Sequence, residues 1–164
     1  MNACESILGL SPYQGGKPID ELARELGLKT ITKLASNENP LGVSPAVKEA
    51  VFNSLSSINR YPDGNCFELK KAIAEKLAVT PDMVSLGNGS NELLELIARV
   101  FVSKKMDEVI FSQYAFVVYP LVTQALGATA KVSPASNYGH DLNSMLSLIS
   151  ENTKLIFVAN PNNP

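Results

Sequence analysis

MVSLGNGSNELLELIARVFVSKKMDEVIFS, residues 83–112, joins a short apolar run, a glycine turn, an amphipathic segment and a second apolar run. Met83 to Leu86 ends at Gly87, and a helix is expected over 90–103. Its Leu93, Leu94, Ile97, Val100 and Phe101 fall on one stripe at helical spacing. Glu108 to Ser112 reads as a strand. Moving outward, the alternation continues with a helix near 117–126, a strand over Ala128–Val132 and a helix near 141–150. That last helix carries Leu142, Met145, Leu146 and Ile149 on one side, and Leu155–Ala159 then reads as a fully buried strand. Upstream, a helix near 66–78 turns Phe67, Ile73 and Leu77 inward and its lysines outward. Strands alternating with helices of this length imply βαβ units, so the expected class is α/β, a mainly parallel sheet with helices on both faces.

The first forty or so residues read differently, as an irregular arm around one short helix. Pro18 opens that helix, Ile19, Leu22 and Leu26 share its apolar face, and Gly27 closes it. Ser44-Pro45 signals the start of another helix, with Val47, Val51 and Leu55 on one face, and Arg60-Tyr-Pro-Asp-Gly64 reads as a turn. The expected division is an N-terminal arm and substrate-side loop over 1–43, then the first part of a larger domain over 44–164. The sequence stops at Asn160-Pro-Asn-Asn-Pro164, directly after a strand. Ligand sites of such sheets lie at the carboxyl ends of strands, so the chain is expected to be a fragment ending inside a site.

Composition narrows the function. At 45% hydrophobic and 18% charged the chain has enough apolar material for a core. A formal charge of −2 offers no electrostatic footprint for nucleic acid or an anionic membrane. No apolar run approaches the roughly 18–20 residues that span a bilayer. Cys4 and Cys66 are isolated and no secretory signal opens the chain, which points to a reducing, cytoplasmic setting. A single histidine, His140, excludes His clusters, so no metal site is expected and the chemistry calls for a borrowed cofactor.

Four segments carry candidate chemistry. In Gly87-Asn-Gly-Ser-Asn-Glu92 the glycines permit a sharp turn, Ser90 can cap the following helix, and free N–H groups make an anion site suited to phosphate. The segment matches neither the dinucleotide fingerprint nor the P-loop, and the competing reading is a plain strand-to-helix turn. Ser112-Gln-Tyr-Ala-Phe116 offers rings at a strand's carboxyl end, for stacking on a planar heterocycle or merely for covering the sheet. Asn160, Asn162 and Asn163 present neutral amide donors between two prolines, or form an ordinary Asn-Pro turn. Asn37-Glu-Asn-Pro40 is a polar loop that alone reads as a turn before a helix. His140 is expected to be a solvated loop residue, Cys66 a semi-buried thiol, and the lysines at 70, 71, 76, 104 and 105 solvated faces.

In order, Leu10-Ser-Pro-Tyr13-Gln, Ala35-Ser-Asn37-Glu-Asn-Pro-Leu-Gly42, Arg60-Tyr61-Pro-Asp-Gly64, Gly87-Asn-Gly-Ser-Asn-Glu92 and Asn160-Pro-Asn-Asn163-Pro164 resemble the histidinol-phosphate aminotransferases. Those are pyridoxal-phosphate (PLP) enzymes of fold type I. The resemblance covers nearly the whole chain but only about the first half of such an enzyme, and implies an incomplete large domain preceded by an arm. It implies that Ser90 and Asn91 hold the PLP phosphate and that Asn163 donates to the ring oxygen. By the same resemblance Phe116 would stack on the pyridine ring where the family often has tyrosine, keeping the stacking and losing a hydroxyl. Tyr61 would reach the phosphate of the neighbouring subunit in a homodimer, and Tyr13 and Asn37 would line the substrate side.

The implied activity is amino-group exchange between L-histidinol phosphate, a small-molecule substrate, and 2-oxoglutarate. The family's Schiff-base lysine, its acidic partner and its carboxylate-binding arginine all lie beyond the Asn-Pro loop, so no catalytic residue is expected here and the chain alone is expected to be inactive. Alternatives are an aromatic aminotransferase, a PLP decarboxylase of a phosphorylated amino acid or, in another class, a non-catalytic αβ module binding a phosphate ligand at Gly87–Glu92.

Overall fold

The computed structural model describes residues 3–13 and 15–162. Two compact units emerge. One takes the chain up to Pro12 and again from Glu68 onward, and the other is Tyr13–Phe67.

The smaller unit holds α2 (Ile19–Leu26), α3 (Pro45–Ser54) and a 3-10 turn at Leu55–Ser57. Local chemistry sets these boundaries as the sequence suggests. Pro18 immediately precedes α2, and Gly27 ends it in the left-handed region with φ 64°. Ser44 caps α3 by accepting from the Val47 N–H at 3.3 Å, with Pro45 as first helical residue. Asp63 accepts from the N–H groups of Asn65 and Phe67, at 2.9 and 3.0 Å, and so closes the Pro-Asp-Gly turn. Val47, Val51 and Leu55 share a face as expected, but that face stays exposed in this chain.

The larger unit begins with α1 (Glu5–Leu8) and continues through α4 (Phe67–Leu77), whose first residue belongs to the smaller unit. After a 3-10 turn at Pro81–Met83 come α5 (Ser90–Phe101), β1 (Glu108–Ser112), α6 (Val118–Ala125) and β2 (Thr129–Ser133). A small antiparallel ladder of β3 (Ala135–Ser136) and β4 (Gly139–His140) precedes α7 (Leu142–Ser147) and β5 (Thr153–Ile156). The main sheet is parallel with order β2-β1-β5. From β1 the chain steps one way to β2 and then back across β1 to β5. Right-handed crossovers therefore send α6 and α7 to opposite faces.

Burial along β1 agrees with cover on both sides, since all five of its residues are buried. Val109 and Phe111 join Val102, Tyr119 and Phe157 in the core, where the rings of Tyr119 and Phe157 stack at 4.4 Å. Ile110 points to the other face and is also fully buried.

Two expected strands differ. Val84 is extended and buried, but the Met83–Leu86 run pairs with no strand among the described residues. Apolar character makes such a run burial-prone, whereas strand status requires a partner for its N–H and C=O groups. The last strand is shorter than Leu155–Ala159 and alternates between half-buried and exposed, because β5 is an outer strand of the described sheet.

At the amino end of β1, Asp107 accepts from the Ser103 and Lys104 N–H groups, each at 2.8 Å, fastening the turn after α5. The Glu108 carboxylate accepts from the Ser150 hydroxyl at 2.7 Å and lies 3.3 Å from Lys131 Nζ, so one side chain ties β1 to both neighbours. The Ser103 N–H chiefly holds the Asp107 carboxyl below its ordinary pKa, and the Ser150 hydroxyl does the same for Glu108.

Two outcomes follow for stability. Ile110→Ala is expected to destabilise by about 2–5 kcal/mol in a denaturant melt, the usual range for truncating a fully buried aliphatic chain. Because the native pKa of Asp107 lies below the unfolded value, its stabilisation is complete above about pH 5 and declines as pH falls through the native pKa. Asp107→Asn is therefore expected to be less stable at pH 7 with a shallower acid limb. Unfolding curves between pH 7 and pH 2 that run parallel for the two proteins would contradict this.

Candidate functional site

Three segments of the larger unit converge at the carboxyl end of the sheet. The first is the turn into α5. Gly89 is the N-cap of that helix with φ 80°, a conformation costly for any residue with a Cβ, and no side chain caps the helix. Ser90 is thus not the cap, contrary to expectation: the turn needs positive φ at the capping position, which pushes Ser90 into the first helical turn. The consequence favours a ligand. Among the described residues the first N–H groups of α5 have no side-chain partner, and Ser90 and Asn91 are the first two residues of the helix, at the positive end of its dipole.

Sequence reasoning gave Glu92 no role, yet it shapes this loop. Its carboxylate folds back to accept from the Asn88 backbone N–H and, at 3.3 Å, from the Asn88 amide. An acidic residue at the third helical position is the local signal for such a fold-back. A Cβ at position 87 would lie 2.8 Å from Glu92 Oε2 and 3.2 Å from Leu93 Cγ, so glycine there makes room for the arrangement.

The second segment follows β1. Tyr114 takes positive φ, and Phe116 is half-buried, edge-on to Tyr119 with ring centroids 6.1 Å apart. Phe116 and Leu94, one turn beyond Ser90, both pack against the same core cluster. The third segment follows β5. Asn162 Nδ2 donates to the Tyr114 carbonyl at 3.2 Å, fastening the Asn-Pro loop to the Phe116 loop. Asn163 lies outside the described residues.

Polar atoms at this end remain unsatisfied. The Ser112 hydroxyl, in a residue only 2% exposed, and Asn162 Oδ1 are buried without a partner among the described residues. Buried polar groups are normally paired, so such orphans at a strand's carboxyl end mark a place where something polar binds. An open helix terminus for a phosphate, an aromatic in the loop after β1 and an amide-bearing loop tied to it fit a phosphorylated heterocycle such as PLP. Lys104 and Lys105 precede β1 at the opposite end, and Lys131 is engaged with Glu108.

His140 departs from the solvated loop residue expected. It is half-buried on β4, with Nε2 2.7 Å from the Ala159 carbonyl. That contact spans nineteen positions of sequence and had no local signal. The remaining candidates belong to the smaller unit. Tyr13 and Tyr61 are exposed, Asn37 takes positive φ, and Gly16 lies against the Ser36 hydroxyl. Cys4 and Cys66 are free thiols, and among the described residues there is neither a metal-binding cluster nor a helix long and apolar enough to cross a membrane.

Residues 29–164 match the family model described as aminotransferase class I and II. Histidinol-phosphate aminotransferase 1 of Mannheimia succiniciproducens is 59% identical over 96% of this chain, and histidinol-phosphate aminotransferase 2 of Haemophilus influenzae is 57% identical over 99%. The chain spans 43% and 44% of the length of these curated relatives. Among solved structures, histidinol-phosphate aminotransferase from Sinorhizobium meliloti, in complex with pyridoxal-5'-phosphate, superposes with a TM-score of 0.85 at 27% identity, covering 98% of this chain and 42% of that one. The parallel α/β fold is thus that of the fold-type-I aminotransferases, and the chain belongs to the class I and II aminotransferase family.

Proposed function

We propose that this chain forms the phosphate-holding and ring-facing part of a PLP-dependent aminotransferase that exchanges an amino group between L-histidinol phosphate and 2-oxoglutarate in histidine biosynthesis. The observation that carries the reading is the α5 terminus, without a side-chain cap among the described residues and with Ser90 and Asn91 on it, on a helix whose Leu94 packs on the same core cluster as Phe116. Identity above 55% to two histidinol-phosphate aminotransferases supports the substrate.

PLP supplies the electron sink for amino-group exchange. Within this chain, Ser90 and Asn91 hold the dianionic phosphate through first-turn N–H groups and side chains. Phe116 stacks against the ring without contributing a hydrogen bond. Asn163 donates to the ring oxygen, and the Asn162–Tyr114 bond steadies the loop that carries it. Tyr13 and Asn37 line the substrate side. The Schiff-base lysine comes from sequence beyond the span shared with the relatives. By this reading residues 1–43 act as arm and substrate-side loop, and residues 44–164 as the first part of the PLP-binding domain.

We further infer a cytoplasmic homodimer, in which Tyr61 reaches the cofactor phosphate of the neighbouring subunit. The full exposure of Tyr61 and the two free thiols support this.

The protein expressed from its gene is expected to bind PLP and to form glutamate from L-histidinol phosphate and 2-oxoglutarate. Absence of bound PLP, or faster turnover of aromatic amino acids, would overturn the assignment. Ser90→Ala is expected to weaken PLP binding by about 1–2 kcal/mol, the scale of one charge-assisted hydrogen bond, with the melting temperature of the cofactor-free protein unchanged. An unaltered affinity removes Ser90 from the phosphate site.

A further inference from the structure

The ladder of β3 and β4 touches both loops at the carboxyl end of the sheet. The Ala135 N–H donates to Gln113 Oε1 at 3.4 Å, and the Tyr138 ring lies 5.6 Å from that of Tyr114, tilted by 38°. His140, at the end of β4, contacts the Ala159 carbonyl immediately before the Asn-Pro loop. Asn162 links that loop back to Tyr114. Residues 160–162 are therefore flanked by two contacts, an imidazole on the Ala159 carbonyl and the Asn162 amide on Tyr114.

A carbonyl oxygen only accepts, so the hydrogen in the His140 contact belongs to Nε2, and in the neutral ring Nδ1 is then the nitrogen without hydrogen. Nδ1 is buried without a partner among the described residues. A buried polar atom left unpaired is costly, and it persists where the rest of the side chain makes a contact the structure depends on. We propose that His140, as the Nε2–H tautomer, is a positioning residue that sets the Asn160–Asn162 loop through the Ala159 carbonyl. The consequence for cofactor binding rests on the reading of that loop given above, whereas the clamp stands on geometry alone.

Three measurements on the protein expressed from its gene test it. Nitrogen-15 spectra of the cofactor-free protein near pH 8 are expected to show a protonated Nε2 and a bare Nδ1, and the opposite tautomer overturns the proposal. His140→Leu is expected to raise deuterium uptake across residues 157–162 of the cofactor-free protein, leave β1 and β2 protected, and weaken PLP binding about tenfold, the scale of one hydrogen bond. His140→Gln, whose side-chain amide can donate to the same carbonyl, is expected to return both readouts to within about threefold of the original protein. Unchanged uptake in a folded Leu variant, or a Gln variant as impaired as Leu, overturns the clamp. If the Leu variant does not fold, the Gln variant and the tautomer decide. An original protein that binds no PLP defeats the cofactor reading, and the uptake and tautomer results still judge the clamp.

Discussion

The larger unit depends on complete burial of β1. Glu108 through Ser112 place side chains on both faces of the sheet, and every one of them is out of water. A strand so buried must be paired along both edges and covered above and below, because each free N–H or C=O would otherwise lose its partner in water. β2 and β5 provide the edges. The reversal in chain direction between the two crossovers sends α6 to one face and α7 to the other, and α5 packs beside α6.

The two ends of β1 have been put to different uses. At the amino end, Asp107 and Glu108 are held ionised by N–H and hydroxyl donors and fasten the turn before β1 to both neighbouring strands. At the carboxyl end, among the described residues, the first turn of α5 has no side-chain cap, and the buried Ser112 hydroxyl and Asn162 Oδ1 have no partner. Parallel strands bring all their outgoing loops to one end, which is where a ligand can meet several at once. Satisfied carboxylates at one end and unsatisfied donors and acceptors at the other make the sheet a rigid mount for the loops.

Much of this was legible in the sequence where the signal is local. Ser44-Pro45, Gly27 and the Pro-Asp-Gly turn mark boundaries through capping and φ preferences that act within a few residues. The stripe from Leu93 to Phe101 specifies α5 by its period. Burial and pairing were less legible. Met83–Leu86 and Leu155–Ala159 have strand-like composition, but whether such a run becomes an inner strand, an outer strand or an unpaired extended segment depends on neighbours far along the chain. Ser90 shows the same limit on a smaller scale. Serine suits a capping position, but the turn geometry assigned that place to Gly89.

The site divides along the same line. Sequence alone singled out the glycine turn at Gly87–Glu92, the aromatic segment at Tyr114–Phe116 and the Asn-Pro loop as candidates, because each is a short string whose residue types carry their own chemistry. Only tertiary structure could decide that Phe116 and Leu94 of α5 pack on one core cluster, that Asn162 ties two loops together, and that His140 leaves solvent to meet Ala159. The reason is physical. Caps, turns and periodicity are set by interactions over a few residues and are written in local sequence. Contacts between loops are set by the pairing and direction of strands, and no local string encodes them.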